Sequence, residues 1–179
     1  MDRKTHEAAK EKALAFFDKA NIVLTPQERE TVEVADLGLG ELDKTGIEIV
    51  TYVNTARCCA KELVLFPGQT CPEHRHPPSE EGPGKEETFR CRYGEVFLYV
   101  EGDTTENCGA KPPAGDEAHY TVFHEVHLFP GQQYTLLPNT RHWFQAGSQG
   151  AVVSEFSTRS NDETDIYTDP RIKRVPVVE

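Results

Sequence analysis

The chain has 179 residues, enough for one domain with a real core, and its 37% hydrophobic and 27% charged residues read as soluble and globular. A formal net charge of −11 would repel a phosphate backbone, which argues against nucleic-acid binding. No apolar run reaches membrane-span length, and Met1-Asp-Arg-Lys-Thr-His leads into a Lys/Glu/Ala stretch without an apolar signal core, so no membrane partner and a cytoplasmic location are expected.

In chain order, the apolar residues between His6 and Ala20, including Leu14 and Phe17, recur at helical spacing and predict an amphipathic helix. Thr25-Pro26-Gln27-Glu28 predicts a second, short helix, with Thr25 as N-cap, Pro26 at the first position and Glu28 closing a capping box. From about Gly46 the pattern turns to short strands. The candidates are Ile47–Val53, Ala60–Phe66, Glu87–Tyr93, Val96–Val100, Tyr120–His127, Gln133–Leu137 and Ala151–Ser157, punctuated by Gly, Pro, Asn and Asp. Many short strands between turn signals indicate an all-β sandwich or barrel. The organisation expected is a single domain, with residues 1–45 a helical extension, 46–160 a β-barrel and 161–179 a polar tail over the surface or a neighbouring subunit. Pro77–Lys85 and Glu101–Glu117 read as surface loops. Leu65-Phe-Pro-Gly-Gln69 recurs as Leu128-Phe-Pro-Gly-Gln132, each copy ending a strand. Five cysteines without a C-x-x-C pair are expected to be reduced thiols.

The densest chemistry lies in Gly68-Gln-Thr-Cys-Pro-Glu-His74-Arg-His76, followed by Glu87 and Gly94. On an extended segment His74 and His76 share a face, because strand side chains alternate. Glu87 begins a strand whose positions Phe89, Cys91 and Tyr93 are expected to face inward. A carboxylate on that face needs a partner, since an unpaired buried charge is expensive, and a metal ion is the simplest one. His142 can supply a third imidazole. Such a set leaves coordination positions open for a substrate.

The spacing Gly68-x5-His74-x-His76 and Glu87-x6-Gly94 resembles the first motif of the cupin superfamily, with a longer gap between His76 and Glu87 than is usual there. Gly131 and His142 match the second motif at the right separation, with Asn139 standing where that motif has Gly. Asn tolerates the left-handed backbone such a position requires. Cys71-Pro-Glu-His-Arg-His-Pro-Pro78, Pro83–Gly94, His142-Trp-Phe-Gln-Ala-Gly147 and Ser154–Ser160 with Asp165–Pro170 are similar to the short D-lyxose isomerases among the cupins. That resemblance implies a cupin β-barrel (jelly-roll-like) with short N-terminal helices and a homodimer. It implies an aldose–ketose isomerase interconverting D-lyxose with D-xylulose and D-mannose with D-fructose. It also implies Mn²⁺ held by His74, His76, Glu87 and His142, with Co²⁺, Zn²⁺ or Fe²⁺ as substitutes.

Moving a hydrogen between C1 and C2 needs a positioned base. Glu155 is the first candidate, provided that residues 153, 155 and 157 line the barrel; the opposite register would turn Val152, Ser154 and Phe156 inward. Lys85, just before Glu87, is the second candidate, as an acid or a charge stabiliser. Arg159 and Asp165 are candidates for binding sugar hydroxyls. His119, His124 and His127 read as ordinary strand histidines, and Trp143 as packing on the face opposite the metal. Arg90 and Arg92 should point away from the metal, which favours a neutral sugar over a phosphorylated one. An Fe(II) cupin dioxygenase and a non-catalytic carbohydrate-binding cupin are the competing readings.

Overall fold

The first apolar stripe folds as α1 (Arg3–Lys19), which starts ahead of His6 because the Asp2 carboxylate caps it by accepting from the Thr5 amide. The computed structural model describes residues 1–80 and 82–175; Glu81 of the Pro77–Lys85 loop and Pro176 of the tail lie outside the described residues. Helix α2 (Pro26–Glu30) forms where its capping box predicts it, with both reciprocal bonds between Thr25 and Glu28 present. Ala13, Leu14, Phe16 and Phe17 of α1 pack on Val50, Val64, Phe66 and Val152 on the outer face of the sheet.

Among the described residues nine strands follow: β1 (Glu33–Ala35), β2 (Ile47–Asn54), β3 (Cys59–Leu65), β4 (Thr70–Arg75), β5 (Glu87–Val100), β6 (His124–Leu128), β7 (Gln133–Leu136), β8 (His142–Ser157) and β9 (Ile166–Tyr167). They form one curled sheet in the order β1-β2-β3-β8-β4-β9, with β5 pairing β6, β7 and β8. The interior holds Leu63, Phe89, Cys91, Leu98, Leu136, Phe144 and Val153. A smaller core gathers Tyr99, Tyr120 and Trp143 under the 101–123 region, with the Trp143 ring stacked on Tyr99 at 4.0 Å between centroids. Trp143 thus packs between layers, on the side away from the interior.

Strand β8 is the spine. Its Ala151–Ser157 half pairs with β3 and with the start of β5, and its His142–Ala146 half pairs with the end of β5. Residues Glu87–Tyr93 and Val96–Val100, expected as separate strands, form one strand, because the interruption is a bulge that keeps its pairing with β8. Gly94 permits this: its φ is +70°, and a Cβ there would meet the Gly150 carbonyl at 1.9 Å. A separate register shift between Cys91 and Tyr93 turns Tyr93 outward onto Phe16, at 6.1 Å between ring centroids, whereas Phe89 and Cys91 face inward as expected. The strand expected at Tyr120–His127 begins only at His124, since Tyr120 and Val122 are drawn into the Trp143 core.

The two Leu-Phe-Pro-Gly-Gln segments make the same turn. Gln69 Oε1 accepts from Phe66 N at 2.7 Å, Gln132 Oε1 accepts from Phe129 N at 2.9 Å, and Gly68 and Gly131 both have positive φ. Asn139 takes the left-handed backbone (φ 64°) expected of it. The tail does not simply run over the surface: β9 pairs with β4 and closes one end of the barrel. All five cysteines are free, and among the described residues no helix is long and apolar enough to cross a membrane.

One buried acid on this scaffold lies away from the interior. Glu48 of β2 has no exposed surface, and its Oε2 has no hydrogen-bond partner. Burial pushes its carboxyl up to about 8, against a bond from Gln69 and the charge of Lys12. The folded protein therefore keeps a proton that the unfolded chain releases above its ordinary value of 4.5, and stability falls as pH rises through that window. Glu48→Gln should stabilise the protein at pH 8 by on the order of a few kcal/mol and be near neutral at pH 4, as read by urea unfolding. A difference that does not change with pH would refute this.

Candidate metal centre

His74 on β4 is the cross-strand partner of His142 on β8 and of Tyr167 on β9. His76 follows just beyond β4, and Glu87 opens β5. Together they bring three imidazoles and one carboxylate to one end of the barrel, none more than 7% exposed. The ring centroids of His74 and His142 lie 4.3 Å apart, those of His74 and His76 5.0 Å.

Hydrogen bonding decides what these rings offer. His74 Nδ1 lies 2.8 Å from the Pro72 carbonyl and His142 Nδ1 3.0 Å from the Thr140 carbonyl. His76 Nδ1 lies 2.5 Å from Asp165 Oδ1. A carbonyl only accepts, so the Nδ1 atoms of His74 and His142 must donate, and the Asp165 carboxylate holds His76 in the same tautomer. In the neutral ring each Nε2 is then left as a lone pair. The cluster has one ligating atom per ring, all within 4.8 Å of one another. Glu87 Oε1 stands 3.0 Å from His76 Nε2 and 3.1 Å from His142 Nε2. His142 Nε2 nonetheless has no hydrogen-bond partner. Lone pairs facing a carboxylate in a dry site repel unless a cation lies among them, so these residues fit a divalent metal ion.

The titration tendencies agree. Burial holds His74 well below the ordinary imidazole range, with its histidine neighbours adding to the effect. Burial also lowers His76, but Glu87 and Asp165 outweigh it and raise that ring to about 9. The position that attracts this proton would equally attract a metal ion. Burial would raise Glu87, yet Lys85 and His76 hold it well below the usual carboxylate range.

Lys85 is not a solvated loop lysine. Its ammonium is buried between Glu87 Oε2 at 2.7 Å and Glu155 Oε1 at 3.0 Å. Glu155 is buried, Val153 lies in the interior and Phe156 is half exposed, so the register that turns residues 153 and 155 inward is the one adopted. Asp165 lines the neighbouring cleft and also engages His76. Arg159 is exposed on the same cleft, which has a volume of about 570 Å³ and is walled by Pro77, Glu80, Pro83, Glu86, Thr158 and Thr164 among others. That is the size of ordinary small-molecule sites, roughly 300–1,000 Å³.

The remaining histidines stay outside the cluster. His124 binds the Asp103 carbonyl, and His127 binds Glu95. In a second group, Asp116, His119 and Asp169, both carboxylates already pair with Arg171. Lys61, Asp162 and Tyr167 also border the interior beside the histidines, and sequence reasoning passed over them. Their signal was weak: Lys61 sits beside Glu62 in a mostly apolar strand, and the other two lie in a polar tail.

A family model described as D-lyxose isomerase matches residues 27–179. The D-lyxose/D-mannose isomerase of Thermosediminibacter oceani is 65% identical to this chain over 94% of it and 93% of the relative. The D-lyxose ketol-isomerase of Cohnella laeviribosi is 60% identical over 96% and 94%. Among solved structures, the L-ribose isomerase of Cellulomonas parahominis with L-psicose superposes with a TM-score of 0.78 at 17% identity, covering 96% of this chain and 94% of that one. That likeness shows a shared cupin-type fold.

Replacing Lys85 by Met would leave Glu87 and Glu155 buried without their shared cation. It should destabilise the protein by about 3–5 kcal/mol in denaturant unfolding at neutral pH. A loss under about 1 kcal/mol would mean the two carboxylates are relaxed by solvent rather than by the ammonium.

Proposed function

Since the chain belongs to the D-lyxose isomerase family, and is thus an aldose–ketose isomerase, we propose that it interconverts D-lyxose with D-xylulose and D-mannose with D-fructose. We further propose that it uses one divalent ion held by His74, His76, Glu87 and His142. The observation that carries the metal reading is the set of three Nε2 lone pairs and one carboxylate facing each other in a buried site with every Nδ1 already committed. A mixed imidazole and carboxylate set suits Mn²⁺, with Co²⁺, Zn²⁺ or Fe²⁺ able to substitute. Bound there, the ion would supply Lewis acidity toward the oxygens on C1 and C2 of the open-chain sugar.

The residues divide the remaining work. Glu155 is the base that takes the proton from C2 of the aldose and returns it to C1 through an enediol. Lys85 holds the Glu155 carboxylate in position and offers its ammonium to the negative charge that develops on the sugar oxygens. Arg159 and Asp165, on the cleft wall, meet the hydroxyls farther along the chain. Asp165 in addition orients His76. A buried carboxylate base paired with an ammonium beside the ligands suits an isomerase.

Protein loaded with Mn²⁺ should convert D-lyxose to D-xylulose, and chelation should abolish turnover until the metal is restored. Activity that survives complete chelation would sink the metal reading; activity on neither lyxose nor mannose would sink the substrates. Glu155→Gln should lower kcat by about 10²–10⁴-fold while the metal content stays at the wild-type level. An unchanged rate removes Glu155 from the reaction.

A further inference from the structure

We propose that Lys61 is a positioning residue for the metal centre, anchoring the strap that carries Asp165 onto His76; this rests on the metal reading above. Lys61 lies on β3 with its side chain buried against the interior. Its cross-strand partner on the same face is Glu155, the obvious place for an ammonium to go. The ammonium goes elsewhere. It donates to Ser160 Oγ at 2.9 Å and to the Asp162 carboxylate at 3.0 and 2.7 Å, while Glu155 takes Lys85. Burying a lysine is costly unless it is paired, so this pair marks a position where the chain needs a firm hold.

What is held is the segment 158–168. Asn54 clamps Ser160 through both of its amide atoms, at 2.9 and 3.2 Å. Lys61 and Arg174 grip Asp162. At the far end Thr168 donates through its amide to the Glu73 carbonyl at 3.0 Å and through its hydroxyl to the Glu73 carboxylate at 2.6 Å. Between these ties lie the two contacts that matter to the ligands: Asp165 on His76 Nδ1, and the Tyr167 ring stacked on His74 at 5.3 Å. The strand there, β9, has two residues and pairs only with β4, too little to stay in place unaided. Asp162, three positions from Asp165, is the nearest side-chain tie on the N-terminal side. With Lys61 gone, that end of the strap loses its main ion pair. Asp165 then no longer fixes the orientation of His76.

Loss of such outer support lowers metal affinity by roughly 10–100-fold in other sites. Mn²⁺ titration of the metal-stripped full chain, followed by the electron paramagnetic resonance of free Mn²⁺, tests the idea. Lys61→Met, which keeps the stem and removes the charge, should weaken binding by about tenfold, and Lys61→Arg should restore most of it. Asp165→Asn should weaken binding at least as much, and adding Lys61→Met to it should change nothing more, since both act through one contact. At saturating Mn²⁺, Lys61→Met should recover most of its kcat, which a direct role on Glu155 would not allow. Should Lys61→Met fail to fold, Asp162→Asn breaks the same pair from the other side, with the same result expected. Wild-type binding with unaltered affinity in the folded variant, or effects that multiply in the double variant, would overturn the proposal. Wild-type protein that binds no Mn²⁺ would overturn the metal reading and this inference with it.

Discussion

Glu87 is a buried carboxylate with three cationic or proton-binding neighbours, and the arrangement of this end of the barrel follows from satisfying it. Lys85 answers one oxygen, and His76 and His142 crowd the other. An isolated buried carboxylate would take up a proton; this one is held well below its ordinary range. The same ammonium also serves Glu155, a second buried carboxylate that needs a counter-charge. The acid–base candidates and the metal candidates are therefore one electrostatic unit, and changing any member alters the state of the others.

The barrel delivers His74, Glu87, His142 and Glu155 through strand pairing, while His76 and Lys85 flank the loop between β4 and β5. His142 and Glu155 both come from β8, which pairs with β4 beside the histidines and with β5 beside Glu87. The register shifts on either side of Gly94 let β5 follow β8 around the curve without losing the pairing, from Glu87 at one end to Val100, the partner of His142, at the other. A functional site built on paired strands is held more tightly than one on loops, because a one-residue slip would turn every ligand to the wrong face. The loops provide the cleft wall, where a sugar needs room to enter.

Much of this was legible in the linear chain. Two histidines at i and i+2, a glutamate followed by Gly94, and a distant His142 after a Pro-Gly turn carry spacing information, and spacing on strands translates directly into facing direction. The capping box at Thr25 and the left-handed Asn139 were readable for the same reason, since each depends on local backbone chemistry. The errors came where a local rule met a longer-range one. Tyr93 obeys the alternation until the bulge shifts it, and Tyr120 has a strand former's side chain but serves the Trp143 core.

By itself the sequence determined the class of fold, the histidines and glutamate that come together in the candidate site and the helical start of the chain, because these depend on side-chain type and short-range periodicity. Only the tertiary structure decided the partners. That Lys85 is buried between two carboxylates, that Asp165 is bonded to His76, and that Lys61 reaches past Glu155 to Asp162 are facts about groups far apart in sequence. Charges choose partners by distance and by the absence of water, and neither quantity exists until the chain has closed upon itself.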